Sequence, residues 1–351
     1  MPRVSAVLPC FNHSPYLPER IRSILGQTRP VDEIIFLDDA STDDSILLAR
    51  MLLADVHCPV IIEPNAVNSG SPFKQWNKGV NLASGDLVWI AETDDSCDPF
   101  FLETLLNCYQ QNGATLAWTQ SKVIDNVGIR LHSACEWHRH LFPGLFDQAF
   151  AMDGDLFVRK YLSCINLIPN ASAAIFSREI YCEVGPANEL MRYAGDWLQW
   201  IKMANGGRVC FVNQELNYFR CHPATTRSSP DARKLYSENI VCMTTAFVLI
   251  TETARNSFKT TNRVLINPAV ILSWTHWKGF SNYFLSSFSF NDILCLNHRI
   301  KESGGNASFS FAALFLLGYF YLMRLFKSKL KNLCPRLRIA ASSLLCKMMD
   351  S

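Results

Sequence analysis

Residues 33–39, EIIFLDD, and residues 87–95, LVWIAETDD, have the same form: a short apolar run that leads into an Asp-Asp pair. Runs of this length, rich in β-branched and aromatic residues, predict buried strands. Strands that are apolar on both faces occur mostly in parallel sheets that helices cover from both sides. The two stretches therefore predict an α/β fold with a mostly parallel central sheet flanked by helices.

The surrounding segments alternate between strand and helix patterns. Apolar residues at helical spacing, together with acidic residues or proline at the expected starts, mark the helices. The predicted strands are 4–8, 33–37, 60–62 and 87–91. The predicted helices are 16–27, 46–53, 73–83 and 100–110. This alternation is typical of a Rossmann-like arrangement.

The two acidic pairs are expected to meet, because the carboxyl ends of parallel strands share one edge of the sheet. Packing explains such pairs poorly, so Asp38-Asp39 and Asp94-Asp95 together indicate a binding site. In the pair 94–95, one carboxylate can accept hydrogen bonds from a ribose, while the other binds a divalent cation through oxygen. In the pair 38–39, a carboxylate can accept from the N3–H of uracil or thymine. The structural alternatives are a solvated turn at 94–95 and helix capping by residues 41–44.

Three single residues add to this set. Asp196 lies at the start of a predicted helix beside bulky apolar residues, which suits a fixed general base, although an ordinary helix cap has the same pattern. His222 follows a strand-like stretch, where it could bind a metal or a phosphate, or serve a structural role. Lys74 could contact a phosphate, although a solvated helix face is the commoner outcome.

The charge distribution predicts the domain organisation. The chain has 351 residues, 49% of them hydrophobic, which excludes disorder as the dominant state. Residues 1–230 contain 18 Lys and Arg against 25 Asp and Glu, net −7, and residues 231–351 contain 15 against 6, net +9. We therefore expect a domain over 1–230, with halves of about 1–115 and 116–230, and then a basic, aromatic, mainly helical region over 231–351.

Several classes of protein are disfavoured. No G-x-G-x-x-G loop follows the first strand, which argues against a dinucleotide-binding protein, and there is no G-x-S-x-G nucleophile motif. The acidic first part argues against nucleic-acid binding. The thirteen cysteines include no C-x-x-C pair, which predicts free thiols in a reducing compartment and argues against a zinc site.

The C-terminal region contains a short apolar segment, residues 309–323, with lysine and arginine after it. Fifteen residues are fewer than the roughly 20 that a spanning helix needs. The segment fits either attachment to a membrane surface or a buried terminal helix. Since no signal peptide is recognisable at the N-terminus, we expect a cytoplasmic protein, with peripheral contact to the inner face of the membrane through 309–347 as an open alternative.

Five stretches, taken in order, resemble glycosyltransferase family 2. They are VSAVLPCFNHSPYLPERIRSILGQT, DEIIFLDDASTDDS, FKQWNKGVNLASGDLVWIAETDDSCDP, AGDWLQWIKMA and LNYFRCHPATT. The combination is specific and covers about residues 3–227. The resemblance implies the GT-A fold, with a nucleotide-binding half before an acceptor-binding half.

The resemblance also implies roles in the nucleotide-binding half. Pro9 and Asn12 would lie in the first nucleotide loop, and Asp39 would read the base. Asp94 would face the ribose, and Asp95 would bind the metal, Mg²⁺ or Mn²⁺. The implied donor is a nucleotide-diphosphate sugar, with UDP or dTDP favoured.

In the acceptor-binding half the resemblance makes Asp196 the catalytic base. Family members often have Glu before this Asp, where this chain has Gly195. His222 would serve the metal or the diphosphate. Members also often carry Arg where this chain has Trp76, so we consider Lys74 as a substitute for the missing phosphate contact.

The reaction that the resemblance implies is an inverting transfer of one sugar to an acceptor hydroxyl. We expect a glycan or lipid-linked acceptor, in cell-surface polysaccharide or lipid-linked glycan synthesis. The first alternative is an inactive nucleotide-binding assembly partner of the same fold, against which the retained acidic residues count. The second is a nucleotidyltransferase, against which the missing glycine-rich loop counts.

Overall fold

A computed structural model describes residues 1–139, 141–223 and 231–257. All of them belong to the first of two compact units of the chain, Met1–Ile271. The apolar segment 309–323 and the wider membrane contact expected over 309–347 lie outside the described residues. The domain division expected near residue 230 stays a prediction.

Helices and strands alternate through the first half of the chain, as expected. The strands of the described residues are β1 (Val4–Cys10), β2 (Glu33–Asp38), β3 (Val60–Pro64), β4 (Leu87–Ile90), β5 (Ser96–Cys97), β6 (Leu116–Ile124), β7 (Arg130–Ser133), β8 (Phe150–Asp153), β9 (Ala174–Ser177) and β10 (Arg208–Arg220). The α-helices there are α1 (Leu17–Leu25), α2 (Ser45–Leu52), α3 (Pro72–Leu82), α4 (Phe101–Asn112), α5 (Gly154–Phe157), α6 (Arg178–Glu183), α7 (Gly195–Ala204) and α8 (Ala232–Ser257).

One sheet joins these strands, in the order β3-β2-β1-β4-β9-β6-β10-β5, with β7 on β6 and β8 on β10. The first four strands of this order are parallel, with Ser5 opposite Glu33 and Val4 opposite Leu87. The other half is mixed, because β9 runs antiparallel between β4 and β6 while β6 and β10 are parallel. The predicted α/β fold with a helix-flanked central sheet is confirmed. The sheet as a whole is mixed rather than mostly parallel, because five of the nine strand pairings among the described residues are antiparallel.

The sheet divides the hydrophobic core into two clusters, because successive side chains of a strand point to opposite faces. In β2, Ile35 and Leu37 join the cluster that α3, α7 and α8 cover, whereas Ile34 and Phe36 join the cluster beneath α1, α2 and α4. Every residue of β2 is buried. Burial on both faces explains why the strand sequences are almost continuously apolar.

The state of the cysteines and the length of the helices were also predicted from the sequence. The ten cysteines among the described residues are all free thiols, as predicted. In the part of the chain that the structure describes, no helix combines the length and the apolar character needed to cross a membrane.

Candidate active site

The carboxyl ends of β1, β2 and β4 meet at one edge of the sheet and bring the predicted polar residues together. The chain leaves β1 into a loop that carries His13, leaves β2 at Asp39, and leaves β4 towards Asp94. His222 reaches the same place from the residues after β10. Topology thus assembles four side chains that are far apart in sequence.

His13, Asp94 and His222 form a compact cluster. Each offers one ligand atom, and these atoms lie within 4.8 Å of one another. The Nε2 atom of His222 lies 3.2 Å from Oδ2 of Asp94. Tyr16 packs beside both imidazoles, with ring centroids 6.2 Å from His13 and 4.9 Å from His222. The predicted residues Asp94 and His222 are therefore together, and His13 is a partner that the sequence analysis did not select.

A hydrogen-bond chain fixes which nitrogen of His13 can bind a ligand. The Thr93 hydroxyl donates its hydrogen to the carbonyl of Pro9, at 2.9 Å. The Thr93 hydroxyl oxygen lies 2.8 Å from Nδ1 of His13. Because its only hydrogen is used for Pro9, it can only accept a hydrogen bond from that nitrogen. In the neutral ring the hydrogen of His13 therefore lies on Nδ1, and Nε2 keeps the lone pair that a metal ion requires. Ligating histidines are commonly oriented through the other ring nitrogen in this way.

The donor set of the cluster fits a divalent cation. Burial acts to raise the pKa of Asp94, but the hydrogen bond from His222 and the two nearby imidazoles outweigh it and hold the pKa below its ordinary value. The ionised form is the one that binds metal. Imidazole nitrogen suits transition-metal ions, whereas Mg²⁺ prefers oxygen ligands. The chemistry therefore favours Mn²⁺ over Mg²⁺.

Asp95, the residue expected to bind the metal, is held by protein groups instead. Its Oδ1 accepts from the backbone N–H of Arg220, and its Oδ2 accepts from the side-chain amide of Asn170. Burial, followed by the charge of Asp94, raises the pKa of Asp95 to about 7. Its metal role stays a prediction, but the geometry favours Asp94, which was expected to face the ribose.

Glu92 is a further acidic group at this edge that the sequence analysis missed. Burial and then the charge of Asp94 raise its pKa to about 8. A carboxyl group with such a pKa is mostly protonated at neutral pH and can donate a hydrogen bond. The indole N–H of Trp76 donates to its Oε1 at 3.0 Å. Trp76, which stands where members of the resembled family often have arginine, is thus buried and contacts Glu92.

Asp39 is anchored by several donors. Its Oδ1 accepts from Asn65 at 2.7 Å, and from the Ser69 backbone N–H and Gln75 at 2.8 Å each. Its Oδ2 accepts from the Ser69 hydroxyl. Oδ2 is therefore the oxygen with capacity for a base N–H. Lys74 is close by, since its Nζ donates to the Ser69 carbonyl at 3.1 Å and remains exposed.

The first loop begins later than expected. β1 continues through Pro9 to Cys10, beyond the predicted end at residue 8, so Pro9 lies in the strand and Asn12 in the loop. Pro9 has no backbone N–H to donate to a neighbouring strand. This costs no hydrogen bond to β4, because β4 pairs with β1 only as far as Val7. Asn12 has φ of 56°, and its Oδ1 accepts from the Thr42 backbone N–H at 2.8 Å.

Asp196 lies at the second position of α7, as the helix prediction placed it, with Ala194 as the helix cap. Its Oδ2 accepts from Asn166 at 3.0 Å, and its Oδ1 accepts from the Trp197 backbone N–H. The side chain lines a cavity of about 290 Å³. Aromatic and amide side chains contribute to the wall, among them Trp137, Asn166, Tyr193, Trp197 and Asn239.

One short segment connects this cavity with the acidic cluster. Asn166 donates to Asp196, and Asn170 donates to Asp95. Ser172 accepts from the backbone N–H of Glu92 at 3.1 Å. Because a chain advances at most about 3.6 Å per residue, the Cα atoms of Asn166 and Asn170 are no more than about 14 Å apart. Residues 166–172 therefore link Asp196 to the acidic cluster through direct hydrogen bonds.

The comparisons with known proteins concern the family and the fold of the chain. Residues 5–167 match the model of "Glycosyl transferase family 2". A poly(ribitol-phosphate) beta-glucosyltransferase of Bacillus spizizenii is 29% identical over 129 residues, 36% of this chain and 20% of the relative. The glycosyltransferase GlyG of Streptococcus pneumoniae is 32% identical over 112 residues, 32% of this chain and 36% of the relative. The matches thus span about a fifth and a third of these relatives' lengths.

Solved structures of S. aureus TarS have a similar fold. The structure of TarS 1-349 in complex with UDP-GlcNAc is 16% identical and covers 85% of this chain and 81% of that one, with a TM-score of 0.60. The complex with UDP covers 83% and 76%, with a TM-score of 0.56. At this identity the likeness concerns the fold.

Proposed function

We propose that this chain acts as a member of glycosyltransferase family 2, whose model matches residues 5–167, and that it moves one sugar from a nucleotide-diphosphate sugar to an acceptor hydroxyl, with inversion. The observation that carries the proposal is the segment 166–172, which bonds to Asp196 at one end and to the acidic cluster near the other. Both reacting partners can therefore meet at one site.

The nucleotide side of the proposal rests on residues at the strand ends. Asp39 would accept a hydrogen bond from the base, and Asn12 and Lys74 would contact the nucleotide beside it. His13, Asp94 and His222 would hold the cation, which supplies charge stabilisation to the leaving diphosphate when bound. The UDP and UDP-GlcNAc complexes of TarS support a uridine nucleotide for this chain as well.

The acceptor side of the proposal rests on the cavity at Asp196. Among the described residues that line it, Asp196 carries the only carboxylate. A single carboxylate suits a base that takes the proton of the attacking hydroxyl, whereas a double displacement needs a nucleophile as well. The amide and aromatic walls suit a hydroxylated ring. The likeness to a poly(ribitol-phosphate) beta-glucosyltransferase supports an acceptor in surface-polymer or lipid-linked glycan synthesis.

The test is hydrolysis and transfer with a panel of UDP- and dTDP-sugars in the presence of Mn²⁺. The released product should be a nucleoside diphosphate, whereas pyrophosphate would indicate a nucleotidyltransferase. Asp196→Asn should lower kcat about 10²–10⁴-fold, as the loss of a general base does, while UDP binding survives. Exposed Asp55→Asn is the matched control and should have wild-type activity. Near-normal turnover by Asp196→Asn would contradict the assignment, and an inert wild type that still binds UDP would favour the assembly-partner alternative.

A further inference from the structure

Helix α8 is fastened to the backbone that directly precedes α7. The backbone N–H of Asp231, just before α8, donates to the Tyr193 hydroxyl at 3.0 Å. Further along, the thiol of Cys242 donates to the carbonyl of Ala194 at 3.4 Å. Cys242 is fully buried and belongs to the same core cluster as Trp197. The contacts bind α8 to the short stretch that ends one residue before Gly195.

Glu238 makes the central contact between α8 and this stretch. Its carboxylate accepts from three consecutive backbone N–H groups, those of Arg192 at 2.8 Å, Tyr193 at 2.7 Å and Ala194 at 2.9 Å. Glu238 is only 5% exposed, and a buried carboxylate is costly unless it is hydrogen-bonded. These three N–H groups precede α7 and so take no part in its helical ladder. A single side chain therefore orients the peptide planes just before Asp196.

The same helix forms part of the wall of the cavity at Asp196. Leu235 and Asn239, on either side of Glu238 along α8, line the cavity together with Tyr193. The carboxylate of Glu238 holds the backbone of Tyr193, while its neighbour Asn239 presents an amide to the cavity. One face of α8 thus serves both the base and the space in front of it.

We propose that Glu238 is a positioning residue for Asp196 and that α8 is a working part of the acceptor side of the site. The proposal rests on the proposed function, because it requires Asp196 to act as the base. Fixing residues 192–194 sets the direction in which α7 begins, and hence the direction of the Asp196 carboxylate into the cavity. Misplacement of a reacting group by about 1 Å can cost about 10²-fold in rate.

The test compares Glu238→Ala and Glu238→Gln in the full chain, using hydrolysis of the nucleotide sugar that the wild type cleaves fastest. We expect Glu238→Ala to lower kcat at least about tenfold, with the donor KM within about twofold, because Asp39 and the cation cluster lie on other elements. Glu238→Gln keeps one acceptor oxygen and should recover part of kcat. Amide hydrogen exchange at residues 192–194 should be faster in Glu238→Gln than in the wild type, and faster still in Glu238→Ala.

Glu183→Ala is the control, since it removes an exposed carboxylate from α6, and its kcat should equal that of the wild type. Unchanged kcat in both Glu238 variants, or unchanged exchange at 192–194, would overturn the proposal. So would equal losses in kcat and donor affinity, which indicate general destabilisation. If Glu238→Ala does not fold, the test rests on Glu238→Gln. A fall in its kcat without a rise in KM supports the proposal, and an unchanged kcat overturns it. A wild type that hydrolyses no nucleotide sugar contradicts the proposed function itself.

Discussion

At the scale of single residues, the sequence pattern located acidic groups at strand ends and at a helix start, but it did not reveal all the groups that contact them. Asp39 and Asp94 follow parallel strands, so the position rule for such sheets applied to them directly, whereas Asp196 was found from the start of helix α7. His13 follows β1 by the same rule, yet a lone histidine in a loop carries no pattern of its own. The orientation of the His13 ring depends on its hydrogen bond with Thr93, whose hydroxyl donates to the backbone carbonyl of Pro9 in β1. Such a contact between separate strands is invisible in a linear sequence.

The cation cluster leads to a prediction about metal binding. The full chain should bind Mn²⁺ more tightly than Mg²⁺, because two of the three donors are imidazoles. His222→Ala and His13→Ala each remove one ligand atom and should weaken Mn²⁺ binding at least about tenfold. Mutation of a residue that only supports a metal ligand already costs about tenfold or more in affinity. Titration calorimetry, or the electron paramagnetic resonance signal of free Mn²⁺, measures this without any turnover.

Exposed His57→Ala is the control for these variants and should bind Mn²⁺ normally. The comparison of Asp94→Asn with Asp95→Asn decides between the two carboxylates. The geometry predicts that Asp94→Asn loses the ion and Asp95→Asn retains it. The opposite result would restore the metal role that the family resemblance implied for Asp95.

At the scale of elements, packing explains a departure from the family pattern. Gly195 stands where the resembled family often has Glu, and the sequence offered no reason for it. A Cβ atom on Gly195 would lie 2.5 Å from the ring of Phe73, which projects from α3. The start of α7 therefore approaches α3 closely, and no side chain fits between them. Strand and helix positions could be predicted from periodicity, whereas this contact depends on how two helices meet.

We predict that Gly195→Ala destabilises the protein by forcing the Phe73 ring aside. Overpacking of this kind costs about 1–3 kcal/mol, and each kcal/mol lowers the Tm of a chain of this size by roughly 2–4 °C. Thermal unfolding of the purified variant measures the shift. The double variant Gly195→Ala with Phe73→Leu should recover part of the loss, because the smaller side chain vacates the space. Additive losses in the double variant would show that Phe73 is not the obstacle.

At the scale of the whole molecule, the charge division is the feature that composition alone could reveal. The acidic first part contains the carboxylates of the proposed site, which contribute to its net charge of −7. The basic remainder, with net +9, includes α8, whose Glu238 binds the loop before α7. A boundary drawn from charge near residue 230 therefore says nothing about which side of it serves the site.

The basic C-terminal region also leads to a prediction about membranes. The full chain should float with liposomes that contain anionic lipid, and added salt should release it, because each Lys or Arg near such a surface contributes about 1 kcal/mol that salt screens. Truncation at about residue 305 should abolish flotation, since it removes 309–323 and its basic flank. Neutral liposomes are the control. Flotation that survives the truncation would rule out this segment as the anchor.

The segment 166–172 has a consequence for engineering and for recombination between relatives. The match to the family model ends at residue 167, inside this segment, which makes it a tempting junction for chimeras. A junction there would take Asn166 from one parent and Asn170 from the other, although they bond to Asp196 and Asp95 within a few residues. We therefore expect that donor and acceptor preferences are not separable modules in this chain. Chimeras joined outside 166–172 should keep their activity more often than those joined within it.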